Sequence, residues 1–300
     1  MKLYRHFSVL LMIITMISCS ASDVSQNMVF VAGGTFTMGK KGTQWNPPHK
    51  VILSSFWMAK YLVTVGEWKL FLNATGLPFD WDWQDEGMPG PFRDVVPTDD
   101  CPAQGLNWYY AIAFCNWLSE KDGLNPAYKV QGDVDAYNGP GFLKPGKTAP
   151  TVTWNKTANG YRLPTEAEWE YSARGGQQSH GYSYAGSDNP NEVAIVKKGQ
   201  THSYPVGKMK PNELGLFDMT GDVSVWCWDW LSLLDGLLEK NPSVDNIAQI
   251  KPVDLNYSKQ GKIIRGFDWE YWPTRRVFER GGYPPQNISW TGIRLVRNAQ

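Results

Sequence analysis

The side chains best suited to chemistry are concentrated near the C-terminus, and they are rings, guanidiniums and carboxylates. Between Gly266 and Gly292 stand Phe267, Tyr271, Trp272, Tyr283 and Trp290, interleaved with Asp268, Glu270, Arg275, Arg276, Glu279 and Arg280. Aromatic rings combined with arginine make binding hot spots, because they bury large area and keep directional donors. Thiolate or redox chemistry needs cysteine, and none occurs from Trp228 to Gln300. Trp269, Val277, Ile293 and Leu295 read as core, and Arg265, Arg280 and Arg294 as makers of buried hydrogen bonds. That leaves Phe267, Asp268, Glu270, Tyr271, Trp272, Arg275, Tyr283, Gln286, Ile288, Ser289 and Trp290 as the candidate ligand-binding surface.

Other sets are weaker. Glu166, Glu168 and Glu170 cannot share one helical face, so they read as cap and solvent contacts rather than as a paired acid and base. His6, His49, His180 and His202 lack paired ligand spacing and read as structural or surface residues. No G-x-S-x-G, phosphate loop or dinucleotide fingerprint is present, so no cofactor is expected.

The elements that must position these residues begin with strands. Met28-Val29-Phe30-Val31, Gly33-Gly34 and Thr35-Phe36-Thr37-Met38 read as a hairpin, and His49 to Trp57 as one further strand. Thr64 and Glu67 form a capping box ahead of the apolar stripe Trp68, Phe71 and Leu72, with a stop at Gly76. A second helix runs from about Trp108 through Ala111, Ile112, Cys115 and Leu118 to Gly123. A third opens at Pro164-Thr165, with Glu168 completing its capping box, and stops at Gly175-Gly176. Long segments rich in Gly, Pro, Asn and Trp, Phe79 to Pro102, Ala127 to Asn159 and Gly175 to Pro211, carry the variety.

Bulk properties narrow the partners. Apolar residues at 42% and charged residues at 19% of 300 are those of a globular chain, and 29 basic residues balance 29 acidic ones. Nothing in that balance attracts nucleic acid or an anionic surface, so contacts must be local and no nucleic acid is expected. Lys2 and Arg5 precede the apolar run Phe7 to Ile17, which is too short to span a membrane. With Cys19 directly after Ser18, the stretch resembles a bacterial lipoprotein signal, although Met16 stands where Leu is usual; a plain signal cut near Ala21 is the alternative. The organisation is therefore a signal over 1–19 ending at the lipidated Cys19, a polar tether over 20–27, and one domain over 28–300. Cys101, Cys115 and Cys227 then remain. Cys115 and Cys227 read as buried free thiols, and a Cys101–Cys115 bridge is the lesser alternative.

Ordered signatures along the chain carry a family resemblance. They are Val31-Ala32-Gly33-Gly34-Thr35-Phe36-Thr37-Met38-Gly39, Tyr61-Leu62-Val63-Thr64, Asn107-Trp108-Tyr109-Tyr110-Ala111 and Tyr161-Arg162-Leu163-Pro164-Thr165-Glu166-Ala167-Glu168-Trp169-Glu170. Asn212 to Val223 and the closing Arg265-Gly266 to Gly292-Ile293-Arg294 continue the series. Together these resemble the formylglycine-generating-enzyme and sulfatase-modifying-factor family. The resemblance implies an α+β fold, a loop-rich variant of the C-type lectin fold with a few helices around small antiparallel sheets. It also implies a copper(I)-binding cysteine pair, but Tyr271 and Arg276 align with those positions. A family calcium site is implied near Gly221-Asp222-Val223-Ser224-Val225-Trp226, where Val225 replaces the carboxylate, and Asn189, Asn191 and Glu192 match another only loosely.

A branch of the family, the variable proteins of diversity-generating retroelements, among them the Treponema variable protein, is similar in its signal and in the ending Gly292-Ile293-Arg294-Leu295-Val296. In that branch the segment between the Arg-Gly turn and this ending is diversified. The function this implies is a surface-displayed lipoprotein, lipid-anchored to the outer membrane and attached to the membrane by its acyl chains alone. It would bind a ligand, expected to be a protein, through a variable segment at 266–292, with no chemical step. The alternatives are a divergent oxidoreductase of the formylglycine-generating type and a calcium-dependent carbohydrate-binding lectin.

Overall fold

The computed structural model describes residues 27–43, 46–82, 91–138, 142–195, 202–231, 239–243, 261–266, 276–288 and 290–299. Its first four strands are β1 (Met28–Val31), β2 (Gly34–Met38), β3 (His49–Leu53) and β4 (Phe56–Ala59). The expected hairpin does not form: β1 pairs antiparallel with β4, and β2 with β3. The stretch from His49 to Trp57 is correspondingly two strands, not one. The cause lies in two corners pressed together. Gly33 N–H donates to Ser55 Oγ at 2.9 Å, and a Cβ on Gly33 would stand 2.4 Å from the Leu53 carbonyl oxygen. At both corners the chain leaves one sheet for another, and a side chain at position 33 would force them apart.

Helix boundaries follow the capping signals. In α1 (Val65–Thr75) Thr64 and Glu67 form the reciprocal box, and Gly76 at φ 68° closes the helix with its N–H on Leu72 O. A short α2 (Phe92–Val95) precedes α3 (Trp108–Lys121), whose first turn is capped by Asn107 Oδ1 on Tyr110 N–H at 2.9 Å. Trp108, Ala111, Ile112, Cys115 and Leu118 are all buried, as their spacing predicts. Trp68 and Phe71 of α1 pack on Phe114 of α3 with ring centroids 5.8 and 5.5 Å apart. Thr165 and Glu168 cap α4 (Glu166–Ala173), and a one-turn α5 (Pro190–Val193) follows. Among the described residues no helix is long and apolar enough to cross a membrane.

The remaining strands are β5 (Tyr128–Gln131), β6 (Tyr137–Asn138), β7 (Phe142–Leu143), β8 (Thr151–Trp154), β9 (Ser224–Trp230), β10 (Glu239–Lys240), β11 (Lys262–Arg265), β12 (Gly281–Tyr283), β13 (Thr291–Gly292) and β14 (Val296–Asn298). The central sheet has the order β12-β11-β9-β13. Because strand side chains alternate, β9 sends Trp226 and Trp228 into one apolar cluster with α1 and α3, and Val225 and Cys227 into another with α4. One sheet thus divides two cores. A second sheet, β1-β4-β14, places the first and last strands on either side of β4. Cys101, Cys115 and Cys227 are buried and free, and no Cys101–Cys115 bridge forms.

Candidate ligand-binding site

The three glutamates of α4 are not solvent contacts. Glu166, Glu168 and Glu170 are 4%, 8% and 0% exposed, because every residue of this helix is buried and it has no solvent face. Each carboxylate is instead matched to arginine. Glu168 receives Arg162 Nη1 and Nη2, both at 2.7 Å, while its Oε2 also caps Thr165 N–H. Glu170 accepts from Gly39 N–H at 2.8 Å, Asn46 Nδ2 at 3.0 Å and Arg174 Nε at 2.9 Å, and pairs with the Arg265 guanidinium. Burial pushes the Glu170 carboxyl up, but Arg265, Arg174 and the Gly39 N–H outweigh it and hold it below the usual carboxylate range.

Glu166 joins the two ends of the C-terminal segment. Its carboxylate takes Arg280 Nε at 2.8 Å and stands 3.5 Å from Arg265 Nε. Arg265 ends β11 and Arg280 precedes β12, so one helix fastens the chain at both of these points. Gly266 follows Arg265 at φ 88°, with its carbonyl accepting from Gly221 N–H at 3.0 Å. The expected hydrogen-bonding roles of Arg265, Arg280 and Arg294 hold: Arg294 donates to Ala59 O at 2.8 Å and Phe217 O at 2.6 Å.

Beyond Arg280 the chain crosses the N-terminus of α3, where Trp108 N–H donates to Pro285 O at 2.9 Å. Two clefts flank this crossing. The first, of about 430 Å³, is lined by Ile288 with Phe79, Asp80, Asn107, Tyr110, Tyr137 and Lys144. The second, of about 470 Å³, is lined by Pro285 with Trp108, Tyr109, Thr151, Thr153, Trp154, Trp228, Trp230 and Lys262. Between them Tyr109 stacks on Tyr137 at 5.9 Å and 12°. Burial, then the neighbouring Tyr137, pushes the Tyr109 hydroxyl up to about 12, so it remains a neutral donor at physiological pH. Lys262 lies at the floor of the second cleft. Its Nζ donates to Trp228 O at 2.7 Å and lies 4.2, 4.7 and 4.3 Å from the ring centres of Trp108, Trp228 and Trp230. Those π faces compensate the ammonium for lost water.

Of the sequence candidates, Tyr283, Gln286, Ile288 and Trp290 fall in this region and all are half-buried. Tyr283 packs against the core from β12, and Trp290 stacks on Phe92 at 6.5 Å and 26°. Phe267, Asp268, Glu270, Tyr271, Trp272, Arg275 and Ser289 lie outside the described residues, as does Cys19. Sequence reasoning missed Tyr109, Tyr137, Trp154 and Lys144, which come from elsewhere in the chain. Only Tyr109 had a usable signal, as the large ring off the apolar stripe of α3.

Two of the positions that the resemblance placed at family metal sites carry or adjoin a cation. Arg276, at one expected copper(I) position, is an exposed cation and cannot be a soft ligand. Glu192 accepts from Ser187 Oγ at 3.1 Å and pairs with Lys210 at 3.5 Å, and Asn189 Oδ1 accepts from Asn191 N–H at 3.2 Å. An ammonium thus stands beside the one carboxylate of that set, which does not suit Ca²⁺.

Comparison with known proteins agrees with this architecture. Residues 16–299 match the model for the sulfatase-modifying factor enzyme 1-like domain. The chaperone protein LppX of Paenibacillus barcinonensis is 36% identical over 239 residues, which is 72% of this chain and 76% of that one. The formylglycine-generating enzyme of Thermomonospora curvata is 28% identical over 245 residues, 71% of this chain and 74% of the enzyme. Among solved structures, Treponema denticola variable protein 1 superposes with a TM-score of 0.68 at 27% identity, covering 91% of this chain and 95% of that one. PvdO from Pseudomonas aeruginosa superposes at 0.62 with 23% identity over 91% of this chain and 94% of its own, a likeness of fold.

Proposed function

Because the chain belongs to the sulfatase-modifying factor enzyme 1-like family and has its C-type lectin-like fold, we propose that it is a member that binds a ligand instead of oxidising one. In this reading it is a bacterial lipoprotein held to the outer membrane through Cys19, and residues 266–292 are a diversified segment whose ligand is a protein. The carrying observation is the contrast between frame and content. Arg265 and Arg280 fasten both flanks to α4, while the chain beyond Arg280 contributes Pro285 and Ile288 to two clefts whose rings come from elsewhere in the chain, and no cysteine follows Cys227. A rigid frame around replaceable side chains is what a diversified binding surface requires. The name of the Treponema denticola protein, a variable protein, supports the same reading.

Two experiments test it. Genomic sequence around the gene should contain a near-identical template repeat beside a reverse-transcriptase gene, differing mainly at template adenines. In related isolates Arg265, Gly266, Arg280 and Gly292 should stay constant while positions 267–290 change; uniform conservation across the segment would count against diversification. Separately, the purified chain supplied with copper should not oxidise the cysteine of a sulfatase-type peptide, and turnover would establish the oxidoreductase reading instead.

A further inference from the structure

The outer face of the β1-β4-β14 sheet presents a row of side chains that begins with two exposed rings and ends on a half-buried arginine. Phe30 of β1 stands directly opposite Trp57 of β4, and Arg297 of β14 stands opposite Trp57 on its other side. Directly opposed residues share a face, so the three form one line across the sheet. Their neighbours Val31, Phe56, Met58 and Val296 point the other way and are fully buried. Phe30 and Trp57 remain 48% and 39% exposed and meet edge to edge-on face at 5.2 Å. Arg297 lies along the Tyr161 ring at 5.3 Å and donates to Asn159 O at 3.0 Å, half-buried at the end of the row. None of the three lines either ligand cleft.

The position of this row indicates what covers it. Asn27 leads directly into β1, and its carbonyl accepts from Lys60 N–H just beyond β4, so residues 20–27 join the domain at this sheet. Eight residues extend at most about 28 Å. A domain tied this closely to a bilayer meets the surface at an effective concentration that is roughly millimolar, so a weak contact is enough to orient it. Tryptophan and phenylalanine are the rings that settle among lipid headgroups, and a flanking guanidinium suits anionic ones. The balanced net charge of the chain makes such a local contact necessary.

We propose that this face rests on the headgroup layer of the membrane, with Phe30 and Trp57 in the interface and Arg297 toward anionic lipid. The proposal rests on acylation of Cys19.

The test uses the full chain, matured in a bacterial host and reconstituted into vesicles of phosphatidylethanolamine and phosphatidylglycerol. An environment-sensitive fluorophore is placed at Phe30→Cys or, as a control, at exposed Glu120→Cys; the native thiols at 101, 115 and 227 are buried and resist labelling. Position 30 should show blue-shifted emission and quenching by lipid-borne nitroxide, both lost in the Trp57→Glu background, while position 120 stays unchanged. An acylated chain whose position 30 reports water overturns the proposal, as does a blue shift that needs no vesicles and grows with protein concentration, which would mark self-association. Mass spectrometry of the mature chain reads the anchor separately. If it finds no acyl group, the anchor reading fails, and vesicle binding by that chain decides the face: binding that depends on Trp57 supports it, and none overturns it.

Discussion

At the scale of residues, Glu170 contributes most to the frame because it is fully buried and has four partners. Glu170→Gln would leave two guanidiniums short of their counter-charge, and breaking a buried pair from one side costs about 3–5 kcal/mol. Urea unfolding should show that loss near neutral pH. The sign of the pH dependence follows from the lowered carboxyl. Its stabilisation is full above about pH 4.3, where the carboxyl of an unfolded chain titrates, and fades as pH falls through the lower folded value. Glu170→Gln should therefore lose stability less steeply on acidification than the wild type, and equal acid limbs would remove this carboxyl from the account. The thiols make a second prediction. Burial raises Cys115 and Cys227 well above the ordinary thiol range, and Cys101 is raised as well. Native protein should leave all three unlabelled by a thiol reagent at neutral pH, and unfolding should expose them together.

At the scale of elements, Thr64 and Thr165 occupy equivalent capping boxes with unequal consequences. Replacing either by Ala should cost about 1 kcal/mol of stability. Only Thr165→Ala should also disturb the C-terminal segment, because α4 holds Arg265 and Arg280. Hydrogen exchange at β11 and β12 would rise in that variant and not in Thr64→Ala. These caps were legible in the sequence because their signal spans three residues and needs no tertiary partner. The first strands were not. Their pairing depends on a contact between Gly33 and Ser55, 22 positions apart, which no local pattern encodes. The solvent-contact reading of the glutamates failed for the same reason at greater range, although Glu168 does cap α4: the guanidinium that makes Glu170 a buried residue is 95 positions away. The arginines flanking the segment were correctly read as buried donors, since a guanidinium beside strand and Gly signals has few other uses. The cleft walls contributed by Tyr137, Lys144 and Trp154 had no signal at all, because a surface assembled from separate loops exists only after folding.

At the scale of the molecule, one sheet separates two cores and another closes the ends of the chain together. Arg162 ties the two systems, donating to Glu168 of α4 and, through Nε at 3.1 Å and Nη2 at 2.9 Å, to Asn298 Oδ1 of β14. Removing residues 296–300 takes away a strand partner of β4 and that link at once. The shortened chain should be far more protease-sensitive than any single surface variant, and a melting temperature near that of the wild type would show that the closure is dispensable.

The place of β14 beside β4 also bears on how such a chain is made. Its partner strand is synthesised more than two hundred residues earlier, so the sheet stays open until residues 296–298 have been translated. A stop codon or lost reading frame anywhere between Gly266 and Gly292 removes the strand that completes the fold. Any process that rewrites this stretch is then checked by folding itself: products read through in frame can close the sheet, and the others are left for proteolysis.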